Sequence, residues 1–291
     1  MDRRVAGVDR APVTEPLRSS SAPIVSVLLA VHDGAPWIGE AVTSVLAQTL
    51  SDLELIVIDD DSTDGTREIL AGFSDDRLRV ERQPRAGLTR SLNRALALAR
   101  APLVARLDAD DVALPERLER QRAFLARHPD VGLAGGAARE IDLDGRVVRE
   151  VHPPEDDAAI RRALIRRNPF VHSAVTMRRD VVERAGGYDE RWPVAQDYEL
   201  WMRLSRITRL ANLADVVVLR RLVPGRVTSE RDDDRLRAEL RVRWSAVRAG
   251  VYPWWAAVHA ARPALALAMP LGVRRALRRA TASPARSESS R

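Results

Sequence analysis

The run Asp108-Ala109-Asp110-Asp111 closes an apolar segment of strand length, Leu103–Leu107. In extended chain, residues two apart point the same way, so Asp108 and Asp110 project together. Two such carboxylates can share a hard divalent cation whose other ligands are phosphate oxygens and water. An ion so held offsets the charge of a departing pyrophosphate. The competing reading is a solvated acidic turn in which one Asp caps the helix that follows. A second acidic run, Asp59-Asp60-Asp61-Ser62-Thr63-Asp64-Gly65-Thr66, closes Leu53–Ile58. Asp59 or Asp60 can accept hydrogen bonds from a nucleobase or ribose; alternatively the run is an acidic loop in which Ser62 or Thr63 caps the next helix. Asp197 opens a helix predicted over Gln196–Arg206. A carboxylate held within reach of a hydroxyl can act as general base, and the helix N-terminal dipole favours its ionised form; the alternative is an ordinary first-turn acid. His172, in Asn168-Pro169-Phe170-Val171-His172-Ser173, either contacts a diphosphate or acceptor or is structural. Trp192 and Trp201 could stack on a sugar, although Trp201 has the helical spacing of a core residue.

These residues need a scaffold, and the chain reads as alternating strands and helices. Strands are predicted at Ile24–Ala30, Leu53–Ile58, Leu78–Val80 and Leu103–Leu107. Helices are predicted at Trp37–Thr49, Thr63–Phe73, Leu88–Arg100 and Pro115–Arg127, the last with proline in its first turn. Such alternation implies an α/β fold with a Rossmann-like, mostly parallel sheet flanked by helices on both faces. Ligands then bind beyond the carboxyl ends of the strands, where both acidic runs fall. After residue 130 the pattern changes. A strand is predicted at Val131–Glu140, a hairpin turn at Asp142–Arg146, a helix at Glu155–Arg166, a strand at Phe170–Met177 and a short helix at Arg178–Ala185.

Composition narrows the chemistry. All 47 basic residues of the 291-residue chain are arginine. Without lysine, neither a P-loop phosphate clamp nor a Schiff-base mechanism is available. Without cysteine there is no disulfide framework or thiolate metal site, which fits a reducing, cytoplasmic setting. Aromatics are only 4%, so the core must be built from Leu, Val, Ile and Ala. Residues 1–204 carry 29 Arg against 34 acids, whereas residues 205–291 carry 18 Arg against 7. Positive charge confined to a tail argues against nucleic acid as the partner.

Six stretches in order resemble the family 2 glycosyltransferases. They begin with Val25-Ser26-Val27-Leu28-Leu29 leading into Ala30-Val31-His32-Asp33-Gly34, then Ser44-Val45-Leu46-Ala47-Gln48-Thr49. Glu54-Leu55-Ile56-Val57-Ile58 runs into the Asp59–Thr66 stretch, and Gly87-Leu88 and Asn93 follow. Arg106-Leu107-Asp108-Ala109-Asp110-Asp111 with Pro115-Glu116-Arg117-Leu118 continues the series. It closes with Gly186-Gly187-Tyr188-Asp189-Glu190 and Gln196-Asp197-Tyr198-Glu199-Leu200-Trp201. The resemblance covers about residues 23–230 and implies the GT-A fold. It implies an inverting enzyme that moves a sugar from a nucleotide-diphosphate sugar donor to a hydroxyl of a glycan or lipid-linked acceptor. Asp60 is then expected at the nucleobase, with the Ala30 backbone beside it and Asp59 and Asn93 in the donor site. Asp108 and Asp110 form the Asp-X-Asp motif, Asp110 on Mn2+ or Mg2+ and Asp108 on the ribose or the metal. Asp197 is the expected base; the family's usual Glu-Asp pair reads Gln196-Asp197 here, and its frequent Tyr-Asn reads His32-Asp33. The alternatives are a nucleotidyltransferase of related fold, a haloacid dehalogenase-like phosphatase matching Asp108-Ala109-Asp110-Asp111-Val112, or an inactive glycan-binding relative. The phosphatase motif normally opens its fold and needs a lysine elsewhere.

Both ends of the chain read differently. Residues 1–22, rich in Arg, Pro and Ser, are expected to form a disordered leader. Residues 231–291 are expected to form a helical C-terminal appendage: an Arg-rich amphipathic helix over 231–249, then Tyr252, Trp254 and Trp255, an apolar run over 256–271 broken by His259, Arg262, Pro263 and Pro270, and Arg274, Arg275, Arg278 and Arg279. This run is too interrupted to span a bilayer. The appendage either rests peripherally on an anionic membrane, on its cytoplasmic face, or covers the catalytic domain.

Overall fold

The computed structural model describes residues 22–223 and 232–269. Residues 1–21 of the expected leader, the expected boundary at 230 and Arg274–Arg279 lie outside the described residues. A nine-stranded sheet runs in the order β3-β2-β1-β4-β8-β6-β9-β5, with β7 paired to β6. Its first half comprises β1 (Val25–Val31), β2 (Leu53–Asp60), β3 (Leu78–Gln83) and β4 (Leu103–Arg106), all parallel. The second half is mixed. β6 (Val131–Ile141) pairs parallel with β9 (Arg209–Arg221) and antiparallel with β7 (Val147–Val151) and β8 (Thr176–Arg178), while β5 (Val112–Ala113) pairs antiparallel with β9.

Every residue of β1 and β2 is buried, as expected for parallel strands covered on both faces. Alternation sorts their side chains into two cores. Leu28, Ala30, Ile56 and Ile58 face one core, with α3 (Leu88–Leu98), α6 (Arg179–Arg184) and α7 (Gln196–Leu204). Val27, Leu29, Leu55 and Val57 face the other, with α1 (Ile38–Leu46), α2 (Thr66–Ala71) and α4 (Arg117–Arg127). The amphipathic helix predicted after residue 230 is present as α8 (Asp232–Arg248). Its Ala238, Val242 and Ala246 enter the first core, which includes Ile160 and Leu164 of α5 (Asp157–Leu164). A 3-10 segment (Trp254–Ala260) and α9 (Ala261–Ala268) follow.

Three local expectations are corrected. Ser62 and Thr63 do not cap α2, whose N-cap is Gly65 with no side-chain hydrogen bond. Instead Ser62 Oγ accepts from the Asp33 N–H at 3.1 Å, and the Thr63 N–H donates to Asp33 Oδ1 at 2.7 Å, so these residues pin the loop after β1. The strand predicted over Phe170–Met177 contracts to β8, because His172–Ala174 turn as a 3-10 segment closed by the Ala174 N–H on the Val171 carbonyl. Finally, β9 was not anticipated. Its register against β6 shifts repeatedly around Gly136–Ala138, so its buried positions do not alternate with a clean period of two.

Candidate active site

Pairing on both sides of β1 brings the carboxyl ends of three strands to one rim. Val31 lies opposite Asp59 and Ala30 opposite Ile58, while Leu28 lies opposite Arg106. His32 and Asp33, Asp59 and Asp60, and the Asp108–Asp111 turn therefore share one edge. β8 runs antiparallel to β4 with Ala105 opposite Thr176, so the His172–Ala174 turn arrives beside that acidic turn.

Asp108, Asp110 and Asp111 each offer a carboxylate oxygen within 4.8 Å of the others. Three convergent hard oxygens suit a divalent cation. The cluster stands on buried positive charge. Arg106, only 1% exposed, donates to Asp108 and, at 3.1 Å, to Ser173 Oγ. Burial acts against the Arg106 charge, but Asp108, with Tyr188 and Asp111, outweighs it and raises its pKa. The Ser173 hydroxyl has both Asp108 and Asp111 as acceptors. From beneath, buried Arg117 donates to the carbonyls of Arg106 and Val175 at 2.8 and 3.1 Å. From β9, Arg221 donates its backbone N–H to Asp111 Oδ1 at 2.9 Å and its Nε–H to the Asp110 carbonyl at 3.3 Å. The same guanidinium bonds Glu40 and stacks 4.5 Å from the Trp37 ring, tying the turn to α1.

On the β2 side, Asp60 is enclosed by donors. Gln83 Nε2 and the Ala86 N–H reach Oδ1 at 2.7 and 2.8 Å; the Gly87 N–H and Arg85 reach Oδ2 at 2.8 and 3.1 Å. Burial pushes its pKa up, but these four donors prevail and lower it. Asp59 accepts from the Ser62 N–H at 2.9 Å, with Arg67 and Arg82 at 3.4 and 3.5 Å. His32 sits between the Asp60 carbonyl, 3.0 Å from Nδ1, and Asp33 Oδ2, 3.2 Å from Nε2.

Asp197 stands in the first turn of α7, near enough to Arg106 and Asp108 for both charges to act on it. Asn168 Nδ2 donates to it at 2.7 Å. Its pKa is raised: burial outweighs the Tyr198 N–H, Asn168 and the Arg106 charge, with Asp108 adding to the rise. The helix dipole favours the ionised form, but burial is the larger effect. Phe170 and His172 lie 5.6 and 5.9 Å from the Trp201 ring. His172 Nε2 lies 2.9 Å from the Tyr188 hydroxyl. Burial, then Arg106, push the His172 pKa well below the usual imidazole value, leaving it neutral at pH 7. Asn93 spends both ends of its amide on the Tyr188 backbone, at 2.8 and 2.9 Å. Gly187 beside it has φ +67°, and a Cβ there would lie 2.9 Å from Asn93 Oδ1. Asn93 thus anchors the loop that carries Tyr188. Trp201 is fully buried and Trp192 lies under Arg241, 4.5 Å from its ring.

Backbone strain gathers here. Among the described residues, the non-glycine positions in the left-handed region are Asp33, Asp61 and Ala195. They stand after β1, after β2 and immediately before α7, a pattern typical of sites whose geometry is imposed by the rest of the fold.

Sequence reasoning did not assign Ser173, Arg221, Tyr188, Asn168 or the charge beneath the acids. Arg106 carried a readable signal: an arginine ending an apolar strand two residues before Asp108 must share its side of the chain. Arg221 carried none, because its partners lie 110 residues away in sequence.

Acids at the carboxyl ends of parallel strands stand where α/β sheets bind their ligands. The family model described as glycosyl transferase family 2 matches residues 26–186, and the chain belongs to that family. It is 34% identical over 157 residues to the amylovoran biosynthesis glycosyltransferase AmsE of Erwinia amylovora, covering 54% of this chain and 58% of that one. It is 30% identical over 184 residues to the O-antigen biosynthesis glycosyltransferase WbnJ of Escherichia coli, covering 62% and 71%. The mannosyltransferase PcManGT of Pyrobaculum calidifontis, solved with GDP-Man and Mn2+, superposes with a TM-score of 0.59 at 23% identity, over 94% of this chain and 83% of that one. The fold is the GT-A fold, and the protein is a glycosyltransferase.

Proposed function

We propose that the protein transfers a sugar from a nucleotide-diphosphate sugar to a hydroxyl of a glycan or lipid-linked acceptor, with inversion, in the synthesis of a polysaccharide or glycoconjugate. The observation that carries this reading is the division of one site into two faces. Four donors lower the pKa of Asp60, and Asp108, Asp110 and Asp111 converge above buried Arg106, while Asp197 at the start of α7 has its pKa raised by burial. AmsE and WbnJ are glycosyltransferases of amylovoran and O-antigen biosynthesis, and PcManGT was solved with GDP-Man and Mn2+; each supports the same reading.

In this proposal residues 23–230 form the catalytic domain and 231–291 its appendage. Asp60, Asp59 and the Ala30 backbone line the nucleoside end. Asp110 and Asp108 would hold a divalent cation, Mn2+ or Mg2+, which when bound would supply positive charge against the departing diphosphate. Arg106 and Ser173 hold Asp108 in place, and Arg221 holds the Asp110 peptide. Asp197 accepts the acceptor's hydroxyl proton as the new O–C1 bond forms and the C1–O bond to the diphosphate breaks; one displacement inverts the anomeric carbon. Its raised pKa makes it a better proton acceptor than an ordinary carboxylate. His172, neutral and joined to Tyr188, faces the diphosphate or acceptor between Asp108 and Asp197, and Asn93 acts through the Tyr188 loop.

The test is a screen of nucleotide sugars for hydrolysis with Mn2+ or Mg2+, followed by the Asp110→Asn variant. An anionic ligand then becomes a neutral amide, so half-maximal activation should move to higher metal concentration, and added Mn2+ should restore part of the rate. A variant with unchanged metal dependence would remove Asp110 from the metal site. No hydrolysis of any donor would count against the whole reading.

A further inference from the structure

We propose that the C-terminal appendage carries a lipid-binding face, and that its partner is the headgroup layer of an anionic membrane. The inner side of the appendage is accounted for. Leu236, Ala238, Val242 and Ala246 of α8 are buried against the catalytic domain, and buried Arg243 donates to the Arg166 and His259 carbonyls at 2.7 and 3.2 Å. The outer side is not. Trp254 is 82% exposed, Trp255 59%, Val258 64% and Leu265 61%. Aromatics are only 4% of this chain and tryptophans number six, so two adjacent exposed tryptophans are a concentration, not background. Each large apolar group left in water forgoes the gain of burial, and an exposed cluster of them marks a contact surface.

Charge selects lipid over other occupants. The acids at the start of α8 are answered within the helix: Asp233 and Asp234 pair with Arg237, and Glu239 with Arg235 and Arg243. From residue 240 to 287 the sequence contains nine arginines and no acid. Net positive charge in the same stretch of sequence as two exposed tryptophans, whose amphipathic rings suit the headgroup level, matches an anionic bilayer surface. Spanning is excluded for the elements described. α9 has eight residues, about 12 Å long at 1.5 Å per residue, against roughly 30 Å of hydrocarbon, and no helix among the described residues is long and apolar enough to cross a membrane. The face lies on the bilayer.

This placement has a consequence for the reaction, which rests on the function proposed above. α8 touches the base-bearing segment twice: Arg243 lies 3.3 Å from the Tyr198 hydroxyl, next to Asp197, and Arg241 stacks on Trp192, three residues before Ala195. Lipid seated on the appendage would therefore hold the acceptor side of the site at the membrane, where a lipid-linked acceptor resides.

The experiment is co-sedimentation of the full chain with phosphatidylcholine vesicles, with or without phosphatidylglycerol. Binding is expected only with the anionic lipid and should weaken as salt is raised. The double variant Trp254→Glu, Trp255→Glu should reduce partitioning by about tenfold or more, with unchanged thermal stability and donor hydrolysis. In the unmodified chain, lipids brominated in the acyl chain should quench tryptophan emission. Equal binding to neutral vesicles, equal binding by the double variant, or absent quenching would each overturn the proposal. So would a fall in solution mass in the double variant, since that face would then be covered by a second copy. None of these readouts needs the reaction, so vesicle binding without donor hydrolysis would sink the function and leave the surface intact.

Discussion

The rim after β2 and the entrance to α7 both bury a carboxylate, and they do so with opposite outcomes. Around Asp60 the loop after β3 turns two backbone N–H groups, an amide and a guanidinium inward. The negative charge is better satisfied there than in water, and its pKa falls although burial opposes this. Around Asp197 there are one amide and one backbone N–H, burial prevails, and its pKa rises. The difference teaches that burial does not decide a carboxylate's role; the number of donors meeting it does. A fully answered acid can hold and orient. An under-answered one is left with affinity for a proton.

Asp197→Asn breaks the comparison at its strongest point. Turnover should fall by about 10²–10⁴-fold, the worth of a positioned proton acceptor, while donor binding by calorimetry stays nearly unchanged and added Mn2+ does not help. Stability should move the other way. A carboxylate with a raised folded-state pKa binds protons more tightly folded than unfolded, so its contribution is favourable below the unfolded value and is lost as pH rises through the folded one. At neutral pH the wild-type protein bears that deficit in full, and Asp197→Asn should melt higher. The gain should vanish in acid. In wild type, the acid limb of kcat should lie above the ordinary carboxylate range, since the base must be ionised. A stable loss of metal-dependent donor binding in Asp197→Asn would mean that this residue is not the base.

Arg106→Met probes the charge under the acids. Removing one member of a buried ion pair costs about 3–5 kcal/mol; the lower end is expected, because the Asp108 side chain keeps 33% of its exposure. Urea denaturation measures it. A loss below about 1 kcal/mol would place the pair among ordinary surface bridges.

Asp60→Asn should destabilise, in contrast to Asp197→Asn. Its lowered pKa gives stability that is present above the unfolded value and lost as pH falls through the folded one. An amide offers a single acceptor oxygen to four donors, costing about 1–3 kcal/mol. Donor KM should rise more than kcat falls if, as proposed, this residue contacts the nucleoside and not the reacting carbon. A melting temperature that rises, as in Asp197→Asn, would erase the distinction.

The smallest effect concerns Ala195, held at φ +60°. The left-handed conformation costs an L-residue about 1–2 kcal/mol. Glycine removes that cost but loses roughly 0.5–1 kcal/mol to chain entropy. Ala195→Gly should therefore stabilise by about 1 kcal/mol or less, read as a small rise in melting temperature.

Much of the site was legible as residue types at strand ends. Asp59, Asp60, Asp108 and Asp110 follow apolar runs of strand length, and parallel pairing leaves such ends on one edge. Asp197 was legible as a helix-opening acid within a resemblance. The exact pairing partners were not. Ser62 was read as a cap because serine before a helix usually is one; a loop 29 residues upstream competed for its oxygen and won. β9 escaped because its register breaks disrupt the alternation by which strands are recognised.

By itself the sequence determined the α/β alternation, the acids at the strand ends, the absence of lysine and cysteine chemistry, and a tail in which arginines outnumber acids. These are properties of residue order and of the period of each element. Only the tertiary structure decided that the pKa of Asp60 is lowered while that of Asp197 is raised, that Arg106, Arg117 and Arg221 underlie the acidic turn, and that α8 packs into the first core while Trp254 and Trp255 are exposed. Charge state and exposure are sums over every group brought near, and those groups come from segments far apart in the chain, which meet only when the sheet has closed.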